Sequence, residues 1–201
     1  MKNQGLCGSC WAFASIANLE GLYKIKTGWS VCLSAQQLVD CDTLDYGCNG
    51  GIMDNAFTWI KQNGGIEGED DYPYVGQKQA CHQEPERYVL KVSGYERLGY
   101  DDEQLIKEYL VQRGPLAIAI NATPFQFYSS GILDVDETQC PKTLNHGVTL
   151  VGYGFDEVEQ KEFWIVKNSW GESWGENGYA RVAFGKGVCG INTYVTCATI
   201  E

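Results

Sequence analysis

Basic residues are scarce in this chain: 15 Lys and Arg stand against 26 Asp and Glu in 201 residues, a formal net charge of −11. Phosphate backbones and anionic lipid surfaces draw their affinity from clustered cations, so neither nucleic acid nor a membrane is the expected partner. Long apolar runs are missing too. None approaches the ~18 residues that a bilayer-spanning helix takes, and no basic stretch leads into an apolar one at Met1. Any targeting segment is therefore expected to lie outside the given sequence. Histidines number only two, His82 and His146, and no second Cys-x-x-Cys follows Cys7-Gly8-Ser9-Cys10, which leaves a zinc site weakly supported. A thioredoxin-like redox pair is weak as well, because no strand of a βαβ unit precedes that motif. Internal repeats and low-complexity tracts are absent, and no cofactor or metal is expected.

What remains is the profile of an ordinary globular chain, with 44% hydrophobic and 20% charged residues and enough length for one domain or two small ones. Cysteine is the unusual component. Nine of them (Cys7, Cys10, Cys32, Cys41, Cys48, Cys81, Cys140, Cys189 and Cys197) fit a secreted or lysosomal protein with several disulfides. An odd count leaves at least one thiol without an intramolecular partner, either by accident or as a nucleophile kept free. Spacing alone does not settle the pairing.

Periodicity divides the chain into a helical first half and a β-rich second half, two lobes of one α+β unit. Ser9–Lys26 is apolar on most sides and is expected as a buried helix stopped by Gly28. Ser34 caps a short helix through Val39, and Met53–Gln62 forms a third that ends at Gly64-Gly65. Gly64–Val92 is polar and turn-rich, a loop held by Cys81. Asp101-Asp102 caps a helix to about Gln112 with Leu105, Ile106, Tyr109 and Leu110 on one face. Leu116–Ile120, Gly147–Tyr153, Phe163–Lys167 and Tyr179–Phe184 read as strands of an antiparallel sheet or barrel.

Three distant features fit one mechanism. Gln4-Gly5-Leu6-Cys7-Gly8-Ser9-Cys10-Trp11-Ala12-Phe13 puts a thiol where glycine-rich chain gives way to the buried helix, at the positive end of its macrodipole, which favours thiolate. Leu144-Asn145-His146-Gly147 sets an imidazole at the start of a strand. Val166-Lys167-Asn168-Ser169-Trp170-Gly171 sets an amide at the end of another. Thiol, imidazole and orienting amide together make a nucleophile, a general base and acid, and a group that fixes the ring. A lone histidine in a core is usually only a satisfied core residue, and Trp170 and Trp174 are equally readable as core aromatics. The cysteine and asparagine motifs weigh against that reading for His146; His82, with no motif around it, is taken as a surface residue.

With Cys48-Asn49-Gly50-Gly51, Asn145-His146-Gly147-Val148 and Gly175-Glu176-Asn177-Gly178-Tyr179 added, the chain resembles the papain-like cysteine proteases (peptidase C1 type), in their cathepsin F/L-like branch, along essentially its whole length. The resemblance implies the two-lobed α+β fold of that family, with a helical left lobe, a β-barrel-like right lobe and the cleft between. Residues 1–100 would form the left lobe, with 195–201 packed on it as a C-terminal arm, and 101–194 the right lobe. It further implies that Cys10 is the nucleophile, His146 its acid–base partner and Asn168 the residue that orients His146. Gln4 would donate, with the Cys10 backbone N–H, to the oxyanion hole, where one lost donor costs about 10²–10³ in rate. Trp170 would shield the His146–Asn168 bond, and Trp174 would form the aromatic wall beyond the scissile bond.

Substrate would lie extended against Gly50 and Gly51, with Asn145 also in the cleft. The pocket for the residue two before the cut (P2) would be Ile52, Met53, Ala119, Leu144, Gly147 and Tyr194. That wall is apolar and carries no carboxylate, so the expectation is a hydrophobic P2, poor acceptance of Arg, and, with Tyr194 shortening the base, Leu or Val above Phe. No second spare histidine exists for an occluding loop of the cathepsin B kind, which favours endopeptidase action.

The family's shared disulfides fall on Cys7–Cys48, Cys41–Cys81 and Cys140–Cys189, each worth about 4 kcal/mol in the chain-entropy picture before strain is discounted. Cys32 and Cys197 lie outside that set. Because the C-terminal arm would cross onto the first lobe, a fourth bridge Cys32–Cys197 is expected, leaving Cys10 alone as the odd thiol.

The same likeness implies a zymogen with a propeptide, peptide and protein substrates, cystatin-type inhibitors, a monomeric state, and a lysosome-like acidic vacuole or the extracellular space. The chain begins at Met1-Lys2-Asn3-Gln4, where family members carry further mature residues that strap the second lobe. Either a truncation or a less stable second lobe is the expectation. Hence the competing reading, a catalytically inactive papain-fold scaffold or binding module. Ala35 replaces the family's usual Glu at a helix start, and Asn121-Ala122-Thr123 is a glycosylation sequon followed by Pro124, which lowers its expected occupancy.

Overall fold

The computed structural model describes residues 1–98 and 101–201. Four helices and nine strands follow one another in the order α1 (Cys10–Thr27), α2 (Ala35–Cys41), α3 (Met53–Asn63), β1 (Ile66–Glu67), β2 (Tyr88–Leu90), β3 (Val92–Leu98), α4 (Glu103–Arg113), β4 (Leu116–Ile120), β5 (Ile132–Leu133), β6 (His146–Asp156), β7 (Lys161–Lys167), β8 (Tyr179–Ala183) and β9 (Tyr194–Ile200). Helix starts follow local chemistry. The Ser34 side chain accepts from the Gln37 N–H and caps α2; Asp102 accepts from Gln104 and Leu105 and caps α4. Gly28 and Gly64 take the left-handed conformation that closes α1 and α3, with φ of 78° and 87°.

α1 is the axis of a first core. Trp11, Ala12, Phe13, Ile16 and Leu19 are buried against α2 and α3, with Leu38, Phe57 and Ile60 among their neighbours. A second core fills the space between α4 and the large sheet, around Ile106, Leu116, Ile118, Phe125, Trp164 and Val166. That sheet has seven strands in the order β3-β9-β4-β6-β7-β8-β5, antiparallel except for the pairing of β5 with β8. β1 and β2 form a separate small ribbon inside the stretch expected as loop.

The strand pairing bears on the expected lobes. β3, assigned by the sequence to the first lobe, is hydrogen-bonded to β9 in the large sheet, from Val92↔Ile200 to Leu98↔Val195. The expected boundary at residue 100 itself falls on Gly99 and Tyr100, outside the described residues. Residues 195–201 fall almost wholly in one strand. They form β9, a central strand between β3 and β4, while still reaching α1: Ala198 is buried in the first core and donates its N–H to Asn18 Oδ1 at 3.1 Å. Runs such as Tyr88–Leu90 and Val92–Leu98 escaped the strand reading because polar and exposed positions interrupt them.

One expectation is corrected, and it concerns the thiols. Disulfides join Cys7–Cys48, Cys41–Cys81 and Cys140–Cys189. Cys32 and Cys197 do not join; with Cys10 they make three free thiols. Cys32 is exposed on the loop after α1, whereas Cys197 is buried on β9, where its sulfur accepts from Asn18 Nδ2 at 3.4 Å. The odd count fits three free cysteines as well as one, so parity had no power to choose. Asn121 is buried, too: its Nδ2 donates to Pro141 O at 2.9 Å and its Oδ1 accepts from Thr123 N–H at 3.0 Å. In the folded chain that nitrogen is therefore buried and already paired. No helix among the described residues is long and apolar enough to cross a membrane.

Candidate active site

The N-terminal residues lead directly into the site. Gln4 N–H donates to Ser169 O at 2.9 Å, and Gly8 N–H to Cys48 O at 2.9 Å beside the Cys7–Cys48 bridge. These ties place Cys10 as the first residue of α1, so its sulfur stands over the unpaired N–H groups of a helix start. Burial pushes the Cys10 thiol up, opposed by hydrogen bonding from the backbone N–H groups of Gly147, Trp11 and Cys10 itself.

Across the cleft His146 opens β6 and Asn168 follows β7, two neighbouring strands of the sheet. His146 Nε2 lies 2.8 Å from Asn168 Oδ1, and the same oxygen accepts the Ser169 N–H at 2.8 Å. Shared between two donors, the amide oxygen makes the imidazole Nε2 the donor and leaves Nδ1 for another partner. Trp170 covers this bond, its ring 4.8 Å from that of His146. Burial lowers the His146 pKa, and the bond to Asn168 partly restores it. Burial thus opposes either charge alone. A thiolate and an imidazolium formed together offset one another, because each supplies the counter-charge that the other lost with its water.

Gln4 is buried and fixed at both ends of its amide. Its Oε1 accepts from Ser169 Oγ at 2.8 Å, and its Nε2 donates one hydrogen to Cys7 O at 3.0 Å, with a second N–H on the same nitrogen. Cys10, Gly50, Gly51, Ile52, Met53, Ala119, Leu144, Asn145, His146, Gly147 and Tyr194 line one open cavity of about 360 Å³. The structure thus brings together the proposed nucleophile, its base and all six residues of the expected P2 pocket. The Asn145 amide is anchored, its Oδ1 accepting the Ala122 N–H at 2.9 Å. Trp170 and Trp174 lie outside this cavity, packed edge to face at 5.3 Å, with Trp174 also donating from Nε1 to Phe125 O.

Sequence reasoning missed the supports beneath the cleft. A Cβ at Gly51 would point inward, within 2.6 Å of the Trp11 indole and 2.7 Å of Asp45 Cγ. Asp45 Oδ1 holds the Ile52 N–H at 3.0 Å and Asn55 Nδ2 at 3.1 Å. Under the pocket base, the Arg97 guanidinium lies 4.1 Å from the centre of the Tyr194 ring and 3.8 Å from Asp54. Ser169 was legible only as part of its motif, not as the clamp on Gln4. The acidic pair Asp42-x-x-Asp45 was the one visible signal for what lies under Gly51.

A scan against family profiles matches residues 1–199 to the papain family cysteine proteases. The chain belongs to that family. It is 45% identical over 205 residues to cathepsin F of Drosophila melanogaster and 46% identical over 206 residues to cysteine proteinase A of Leishmania mexicana, covering 100% of this chain in both cases. It is 47% identical over 194 residues, 95% of its length, to mouse (Mus musculus) cathepsin K. The chain spans 33%, 56% and 58% of these three relatives. Among solved structures, digestive procathepsin L2 from the larval midgut of Tenebrio molitor superposes with a TM-score of 0.93 at 40% identity, over 99% of this chain and 64% of that one. The proform of the ragweed pollen cysteine protease Amb a 11 gives 0.93 at 42% identity, over 100% of this chain and 61% of the other.

Proposed function

We propose that the chain is a cysteine endopeptidase that cleaves extended peptides on the carboxyl side of a residue preceded by a hydrophobic P2 side chain. The observation that carries this reading is the His146–Asn168 bond, buried under Trp170 and facing the same cavity as the helix-start thiol of Cys10. The Cys10 thiolate attacks the scissile carbonyl; the oxyanion formed is met by the Cys10 N–H and the second Nε2–H of Gln4. His146 hands its proton to the departing amine, leaving an acyl-enzyme, then removes a proton from the water that releases the acid. Asn168 keeps the ring turned so that one nitrogen faces sulfur throughout. Substrate backbone would run along Gly50–Ile52, with P2 against Met53, Ala119, Leu144, Gly147 and Tyr194. The apolar lining supports Leu or Val there, Phe less, and Arg least.

The two buried cores support an organisation in two lobes that meet at the cleft, with β3, β4 and β9 shared between them. A propeptide is the natural partner in view of the proforms among the similar structures. Cystatin-type inhibitors, a monomeric state, and an acidic vacuole or the extracellular space belong to the same reading. Labelling with an epoxysuccinyl peptide at mildly acidic pH, against Cys10→Ala, tests it. Labelling of the wild type alone, with turnover of a dipeptidyl amide, is expected; no labelling and no turnover would make the chain an inactive scaffold. A P2 library profile headed by Phe or Arg would overturn the specificity.

A further inference from the structure

Asp42 and Asp45 are buried carboxyls in the loop between α2 and α3, and each leaves its Oδ2 without a donor among the described residues. Their other oxygens are taken. Asp42 Oδ1 accepts the Leu44 N–H at 2.7 Å, and Asp45 Oδ1 holds Ile52 and Asn55. The two residues stand three apart in one loop, and a proton held by one carboxyl would give both buried, unpaired Oδ2 atoms a partner.

No counter-charge takes the proton's place. Among the described residues no ion pair reaches Asp42 or Asp45. Lys78, whose stem lies over Gly47, is in no ion pair among these residues, Asp40 on α2 is taken by Tyr72, Gln36 and Gln79, and Asp54 on α3 faces Arg97. α1 presents the Trp11 indole and α3 the Asn55 amide.

We propose that Asp42 and Asp45 share one proton in mildly acidic solution and that this acid pair positions the Gly50–Ile52 backbone for substrate. The pair rests on the function proposed above only for its consequence, not for its existence. Asp42 donates O–H to Asp45, and Asp45, so steadied, fixes the Ile52 N–H and lies against Gly51. When the shared proton leaves, two adjacent carboxylates repel in a site with no cation, and the anchor on Ile52 loosens.

Burial first, and the Asp45 carboxylate second, raise Asp42 to about 7; burial raises Asp45 also. Because the unfolded-state pKa lies near ~4, the folded protein binds the extra proton between about pH 4 and pH 7. The pair's contribution to stability is thus complete at acid pH and fades as pH rises through that window. The two carboxyls titrate as a unit.

Asp42→Asn retains a donor toward Asp45 and cannot ionise; Asp45→Asn retains an acceptor for Ile52 and donates toward Asp42. The readouts are KM and kcat for a dipeptidyl amide with Leu at P2, and hydrogen exchange of the Ile52 amide, each between about pH 5.5 and pH 8. In the wild type KM should rise about tenfold across this range, more than kcat changes, with a matching loss of Ile52 protection beyond the intrinsic pH effect. Both responses should flatten to within about twofold in Asp42→Asn, or in Asp45→Asn should the first variant not fold. Identical pH dependence in the wild type and the folded variant would overturn the proposal. Exchange needs no turnover, so pH-dependent protection in an inactive chain would uphold the acid pair and sink only the protease reading.

Discussion

Around Cys10 the chain turns often and pairs little, whereas around His146 and Asn168 it runs in antiparallel ladders, and the buried polar groups differ accordingly. On the helical wall, side chains do the satisfying. Ser34, Gln36, Gln37, Asp40, Asp42 and Asp45 are all buried and bond to loop backbone or to one another. On the sheet wall the strand ladders consume the backbone groups, and few polar side chains remain buried: among them are His146 and Asn168 themselves, with Glu103 accepting from Trp164 and the Gly185 and Gly187 N–H groups at the far end of the core. The loop-built wall satisfies its backbone with several buried acids and amides, the ladder-built wall chiefly with Glu103.

That contrast can be broken most severely at the reacting groups. Cys10→Ala should abolish labelling and reduce kcat/KM by about 10⁴ or more, and His146→Ala should do nearly the same from the opposite wall. His146→Ala should also remove the plateau of haloacetate alkylation below neutrality, leaving a thiol that reacts ever more slowly on acidification. Asn168→Ala and Gln4→Ala should each cost about 10²–10³ in kcat, with little change in KM.

Packing gives the next largest effect, and here the walls should separate. Gly51→Ala drives a methyl group into the Trp11 indole and Asp45, and should destabilise the fold by about 1–3 kcal/mol in denaturant titration. Gly147→Ala, whose Cβ would lie 3.2 Å from Cys10 O and 3.3 Å from the Met53 sulfur, should cost less stability but more activity. Smallest of all is Cys32→Ser, expected within about 0.5 kcal/mol of wild type. Thiol titration of the native protein should find Cys32 reactive at once and Cys197 only after unfolding; recovery of a Cys32–Cys197 peptide on non-reducing mapping would contradict that.

The sequence was most legible where one residue answers to one local rule. Ser34 and Asp102 mark helix starts, Gly28 and Gly64 mark stops, and Leu116–Ile120 is a strand at the bounds expected of it. The cleft residues were reachable because five short motifs order them along the chain, and one cavity is lined by Cys10, His146 and the expected pocket wall. Long-range pairing was not legible. β3 and β9 each look unremarkable alone and become strands by bonding to one another across about half the chain, which no local pattern encodes. The disulfide error has the same root: number and an arm expected over the first lobe suggest a Cys32–Cys197 pair, whereas Cys32 is exposed on a loop and Cys197 is buried on a central strand. The Asp45 anchor was hidden because its partner is a backbone N–H, and every residue but proline has one.

β9 carries a further consequence. Its residues contribute Ala198 to one core and Val195 and Cys197 to the other, while its two edges bond β3 and β4. Neither half can close before residues 194–200 have left the ribosome, so the nascent chain must travel with both apolar interiors open. Melting should run the same way in reverse, as one calorimetric peak rather than two.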